Sequence, residues 1–192
     1  MLSIILASSS LYRRRLLEQL GLTFDWASPD IDETPLPAET PEQLVHRLAH
    51  TKAQALATRF PQHWIIGSDQ AASFNNRILG KPGTIDNARQ QLRDCRGQRV
   101  EFLTGLCLLN SHSGESKTIV ERFSVVFREL TDAQIDRYLQ REQPFDCAGS
   151  FKVEGLGIAL FERLEGDDPN ALIGLPLIRL VTLLKDAGID VI

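Results

Sequence analysis

The sequence predicts a mixed α/β fold, a β-sheet flanked by helices in two lobes. Short apolar runs alternate with stretches of helical spacing toward both ends of the chain. The middle, residues 99–128, reads as long strands paired across a turn. With 192 residues, 43% of them hydrophobic, the chain has ample core for a single domain over residues 1–192.

Each element has its own local reason. Ser3–Leu6 reads as a buried strand, after which Leu11, Leu16, Leu17 and Leu20 recur at helical spacing up to Gly21. "FDWA" is a strand, and "SPDIDETPLPAET" continues it as a Pro- and acid-rich loop. Thr40 then caps a helix, Pro41 takes its first position and Gln43 completes a capping box. "HWIIGSD" reads as a short buried strand, and "AASFNNRILG" as a hairpin turning at Asn75-Asn76. Residues 84–95 form a helix ended by Gly97, and 99–109 pairs with 116–128 across "SHSGE". Thr131 and Gln134 make a second capping box. Residues 147–163 read as loop and strand, and "LPLIRLVTLLKDAG" as the last helix, with Pro176 near its start and Gly188 at its end.

The bulk properties narrow the function classes. A net charge of −4 argues against a nucleic-acid partner, because polyanions are met by basic surfaces. No apolar run approaches the ~18 residues of a membrane span, and no signal-like start is present, so a soluble cytoplasmic protein is expected. Cys95, Cys107 and Cys147 are odd in number and lack CxxC spacing, which fits free thiols rather than disulfides or zinc.

Three constellations could carry chemistry. "ASSSLYRRRLL" joins the first strand to the first helix. Free backbone N–H groups there favour an anion, Ser8, Ser9 and Ser10 add hydroxyls, and one serine doubles as the N-cap. Arg13 and Arg14 in the first turn oppose the helix dipole, which an anionic ligand would relieve. An ordinary capped helix with a basic face is the competing reading. Second, at about 100° per residue, Leu44, Val45, Leu48, Ala49, Ala55 and Leu56 share one arc of the next helix, and Lys52 falls near its centre. Such a lysine either snorkels or points into a pocket toward an acid or phosphate. His46 and His50 have metal-ligand spacing but lie on the polar face, without the glutamate of HExxH. Third, in "IIGSDQ", Asp69 stands just past a buried strand, with Gly67 permitting close backbone approach. With Glu33 in "DIDET" and Lys81 in "GKPG", the chain has two acids and two lysines, parts suited to phosphoryl chemistry with a metal.

"LASSSLYRRRLL", "DIDE", "KAQALA", "GSDQ", "GKP", "CAGSFKVEG" and "LIGLP" together resemble, in order and spacing, the Maf family of nucleoside triphosphate pyrophosphatases. The match runs from residue 3 to residue 180. The resemblance implies an elongated fold related to the inosine triphosphate pyrophosphatases (the Maf/Ham1 fold), a divalent metal, Mg²⁺ or Mn²⁺, and a homodimer. The implied reaction cleaves a nucleoside triphosphate between the α- and β-phosphates. It makes Asp69 the catalytic base, with Glu33 helping it hold metal. Lys52 and Lys81 would bind phosphate, and Ser8, Ser10 and Arg13 would line the same pocket. Base and metal-ligand roles for Asp69 both stay open on sequence.

The first motif departs from the common SPRR form at Leu11 and Tyr12. Tyr12, Gln70 and Glu154 resemble the branch of the family that hydrolyses 7-methyl-GTP rather than dTTP and UTP. N7-methylation makes guanine cationic, and an aromatic face attracts such a ring by roughly 0.5–2 kcal/mol. Glu154 could accept from guanine N1–H and the exocyclic amine, and, if buried, would be left unpaired by a pyrimidine. Other readings are a dTTP/UTP or modified-nucleotide pyrophosphatase, and a nucleotide-binding regulator of cell division.

Overall fold

The computed structural model describes residues 3–192 and has the mixed sheet that the sequence predicts. Its elements are β1 (Ser3–Ala7), α1 (Leu11–Glu18), β2 (Phe24–Ala27), α2 (Pro41–Ala55), β3 (His63–Phe74), β4 (Arg77–Leu79), α3 (Ile85–Cys95), β5 (Arg99–Asn110), β6 (Ser116–Phe127), α4 (Asp132–Glu142), β7 (Phe161–Glu165), α5 (Asn170–Ile173) and α6 (Leu177–Asp186). One seven-stranded sheet runs β2-β1-β3-β5-β6-β7, with β4 added beside β3. β1 is parallel to β2 and β3, and the remaining pairs are antiparallel.

Period-two alternation sends each strand's apolar residues to both faces. Ile5, Ala7 and Ile65 pack on Ala49 and Ala53 of α2. Ile4, Leu6 and Ile66 pack on the other face with Leu16 and Leu17 of α1 and Leu180 and Leu184 of α6. A separate core joins β5–β7 to α3 and α4, where Phe102, Phe127, Phe151 and Phe161 meet edge to face. Both capping boxes form as expected, at Thr40/Gln43 and Thr131/Gln134.

The structure corrects several boundaries. "HWIIGSD" and the first arm of the hairpin are one 12-residue strand, β3. Asp69 therefore lies within the strand rather than past its end. Ser68, Asp69 and Gln70 do not interrupt it because β5 pairs along it from Trp64↔Asn110 to Ser73↔Glu101. The hairpin turns at Asn75-Asn76, both at positive φ, as a primed turn needs. On α2, Ala55 is exposed and Ala53 takes its place on the buried arc. Residues 147–163 include two 3-10 turns, Ala148–Ser150 and Leu156–Leu160, before β7, and the single-turn α5 precedes the last helix.

Candidate active site

A gap in the sheet positions the site. β1 pairs with β3 only as far as Ala7↔Gly67, and β4 joins β3 only from Ala72↔Leu79. Ser68–Ala71 are thus left unpaired along that edge among the described residues. Ser8–Arg13 emerge from the end of β1 and Lys81 from the end of β4, so the two flanks of the gap carry the predicted phosphate ligands. This is the general location for ligands in α/β sheets, outside the carboxyl ends of parallel strands.

Alternation then splits the neighbours in β3. Asp69 faces α2, and Ser68 and Gln70 face α5. Two glycines bring α2 down onto this part of the sheet. A Cβ on Gly67 would overlap the Ala49 carbonyl oxygen, and one on Gly105, directly opposite Asp69, would overlap that of Val45. The close approach expected at Gly67 is therefore made by a helix backbone. It lets Lys52 Nζ reach Asp69 Oδ1 at 2.6 Å and Glu33 Oε1 at 2.8 Å. Lys52 and Asp69 are buried, whereas the Glu33 side chain is 58% exposed.

Burial raises the Asp69 carboxyl above its ordinary range, opposed by the charge and hydrogen bond of Lys52 and by the charge of Arg13. Arg13 is half-buried; desolvation lowers its pKa, against the charges of Asp69 and Glu33. Its Nε donates to the Gly174 carbonyl at 2.8 Å, which also accepts from Ser68 Oγ at 2.8 Å. Gln70 Nε2 donates to the Ala171 carbonyl at 2.6 Å, and Thr104 Oγ1 donates to it at 2.8 Å. The α5 turn is thereby anchored to the sheet.

Beside this centre opens a cavity of about 330 Å³. Ser10, Tyr12, Arg13, Gln70, Lys81 and Glu154 all line it, over an apolar floor that includes Phe102, Phe151 and Leu172. Tyr12 and Glu154 also line an adjoining pocket of about 460 Å³, so they stand where two parts of one cleft meet. A larger depression of about 1030 Å³ runs along Leu36–Arg47 and Thr118–Val120. It holds none of the predicted site residues, and its charged pair, Arg47 and Glu39, is already closed at 2.6 Å.

Several expectations need correction. Ser8 is buried behind the loop, and its Oγ accepts from the Ser10 N–H at 3.1 Å. Ser10 is the N-cap serine. Arg14 lies over the Trp26 ring at 4.0 Å rather than in the anion site. Glu154 is exposed, so the cost of leaving it unpaired arises only once a base covers it. No group of three or more His, Cys, Asp or Glu side chains suited to a metal occurs among the described residues. The cleft also contains Lys152 and Cys147, to which the sequence assigns no site role. Lys152 sits inside the "FKVEG" motif, which was the available signal. Burial and Asp146 push the Cys147 thiol up to about 11, which disfavours a thiolate nucleophile. All three cysteines are free.

A family model described as Maf-like protein matches residues 3–187. The chain belongs to the Maf family. This Maf chain is 60% identical to the 7-methyl-GTP pyrophosphatase of Nitrosococcus oceani, over 99% of its own length and 96% of the relative. It is 55% identical to the protein of the same name from Chromohalobacter salexigens, over 99% of its own length and 98% of the relative. With that of Pseudomonas putida the identity is 56% over the full length of both. Among solved structures, the Ham1 proteins of Staphylococcus aureus and Coxiella burnetii share the fold, with TM-scores of 0.53 and 0.54 at 16% and 17% identity. Each comparison covers 97% of this chain, with 99% and 100% of the respective structures. The Maf fold expected from the motifs is thus the one present. No helix among the described residues is long and apolar enough to cross a membrane.

Proposed function

We propose that this Maf chain hydrolyses 7-methyl-GTP to 7-methyl-GMP and pyrophosphate. The observation that carries the reading is the buried Asp69–Lys52 pair, joined by the exposed Glu33, and its link through Arg13 to a cleft walled by Tyr12 and Glu154. The names of its relatives, 55–60% identical over nearly their whole length, support the same substrate.

In this account Tyr12 stacks on the electron-poor base and Glu154 accepts from its Watson–Crick edge. Arg13 and Lys81 face the phosphates, and Ser10 and Gln70 complete the lining. Water attacks phosphorus, its proton passes to Asp69, and the bridging oxygen leaves with pyrophosphate. Desolvation makes Asp69 a stronger base than a solvated aspartate, while Lys52 keeps it ionised. Ser8 acts from behind, orienting the loop through the Ser10 N–H.

Two carboxylates gathered on one ammonium also suit a hard divalent ion, Mg²⁺ or Mn²⁺, which takes one or two carboxylates and completes its ligands with phosphate and water. Glu33 and Asp69 would hold it through oxygens that Lys52 does not engage. Such an ion supplies charge neutralisation on the phosphates. The proposal includes a homodimer in the cytoplasm, for which sedimentation should give twice the 21.5 kDa chain mass.

The test assays pyrophosphate and orthophosphate separately from 7-methyl-GTP, GTP, UTP and dTTP. Pyrophosphate mainly from 7-methyl-GTP, abolished in Asp69→Asn, is expected. Release of orthophosphate, or turnover that survives in Asp69→Asn, would contradict the reaction assigned.

A further inference from the structure

Glu154 is exposed on a turn between two 3-10 segments, yet base recognition requires it to be held against the cleft. The turn closes on itself: the Lys152 carbonyl accepts from the N–H groups of Gly155 at 3.2 Å and Gly157 at 3.0 Å. It is also tied to α4 on both sides of Glu154. Tyr138 Oη accepts from the Lys152 N–H at 3.0 Å, and Glu142 Oε1 accepts from the Leu156 N–H at 3.0 Å. Tyr138 and Glu142 are four residues apart and so share one helix face. Gly155 is seated directly on this tie, because a Cβ there would lie 2.7 Å from Glu142 Oε2. Glu142 stands with Glu154 and Tyr12 in the wall of the 460 Å³ pocket.

We propose that Glu142, assisted by Tyr138, is a positioning residue for substrate selectivity, holding the Lys152–Gly157 turn so that Glu154 faces Tyr12. The inference rests on the reading of Glu154 as the group that meets the base. Glu142 does not itself touch the substrate. Its carboxylate provides a charged acceptor to a backbone N–H, stronger than a neutral one, and the second tie through Tyr138 fixes the other side of the turn.

The test compares Glu142→Ala, Glu142→Gln and Tyr138→Phe with wild type. KM and kcat are measured for 7-methyl-GTP and UTP, and amide hydrogen exchange is followed over residues 152–157. In Glu142→Ala, KM for 7-methyl-GTP should rise about tenfold, the size of one lost charge-assisted hydrogen bond, with a smaller change in kcat. Its preference over UTP should shrink, and the 152–157 amides should exchange faster. Glu142→Gln keeps an acceptor oxygen and should restore most of both effects. Tyr138→Phe should speed exchange at Lys152 and weaken selectivity in the same direction. Unchanged selectivity and exchange in Glu142→Ala, or Glu142→Gln as impaired as Glu142→Ala, would overturn the inference. A wild type without preference for 7-methyl-GTP would instead overturn the role given to Glu154, while the exchange comparison would still decide whether Glu142 holds the turn.

Discussion

Replacing Lys52 by Met removes the ammonium between Glu33 and Asp69 while keeping a side chain of similar length. The two carboxylates respond differently. Glu33 is 58% exposed and returns to water, so its lost pairing costs about 0–1 kcal/mol. The Asp69 side chain is only 11% exposed and is left buried without its closest cation. Breaking a buried pair from one side costs about 3–5 kcal/mol. Nearby Arg13 retains part of the compensation, so we expect about 3 kcal/mol at pH 8. In a chain of this size that corresponds to a fall in Tm of roughly 6–12 °C. The deficit should depend on pH. Burial already raises Asp69 above its unfolded value, and loss of Lys52 raises it further. The folded state then binds more protons than the unfolded one near Asp69's pKa, so this group's contribution to stability increases as pH falls through that value. Thermal unfolding at pH 8 and pH 5, in buffer free of divalent cations, should show a smaller Lys52→Met deficit at pH 5. Adding Asp69→Asn to Lys52→Met should recover much of the loss at pH 8. A deficit equal at both pH values, or one untouched by the second substitution, would refute the account of the ion cluster.

The acid limb of kcat/KM should lie above the ordinary aspartate value of 3.8, because desolvation dominates at Asp69, and should move up again in Lys52→Met; a limb at or below 3.8 would contradict this. Gly105→Ala should cost about 1–3 kcal/mol by forcing α2 off the sheet, and should depress activity as well, since Lys52 rides on that helix; urea unfolding and turnover together check it. Tyr12→Ala should reduce the preference for 7-methyl-GTP over UTP by roughly 2–30-fold, the range of a cation–π contact, measured by kcat/KM for each nucleotide.

Local chemistry made part of this structure readable in the sequence. Thr40, Pro41 and Gln43 specify a helix start within four residues, and Asn75-Asn76 a turn within two, and both are present. Lys52 was visible because a charge at the centre of an apolar arc requires a partner, and the structure supplies two carboxylates. What was not readable depends on partners distant in the chain. Asp69 stays within a strand because Gly105 pairs with it across the sheet. Gly105 itself gave no local sign that Val45 would pack on it. Ser8 also braces its own loop, its hydroxyl oxygen accepting from the Ser10 N–H, a contact that spacing alone does not reveal. Tyr12, Gln70 and Glu154 stand out only against the family pattern; the exposure of Glu154 and its support from α4 emerge from tertiary contacts. Arg14 does not join Arg13, because Trp26, on β2, offers it an aromatic face.

The most direct test of the central claim is a competition: the purified chain with Mg²⁺ and equal concentrations of 7-methyl-GTP and UTP in one tube, with the monophosphates followed by mass. The ratio of initial rates equals the ratio of kcat/KM and is independent of enzyme concentration. The account predicts 7-methyl-GMP accumulating at least about tenfold faster than UMP, the scale of a single well-formed recognition contact, with pyrophosphate as co-product. UMP forming as fast or faster would contradict the assignment of Tyr12 and Glu154 as the residues that read the base.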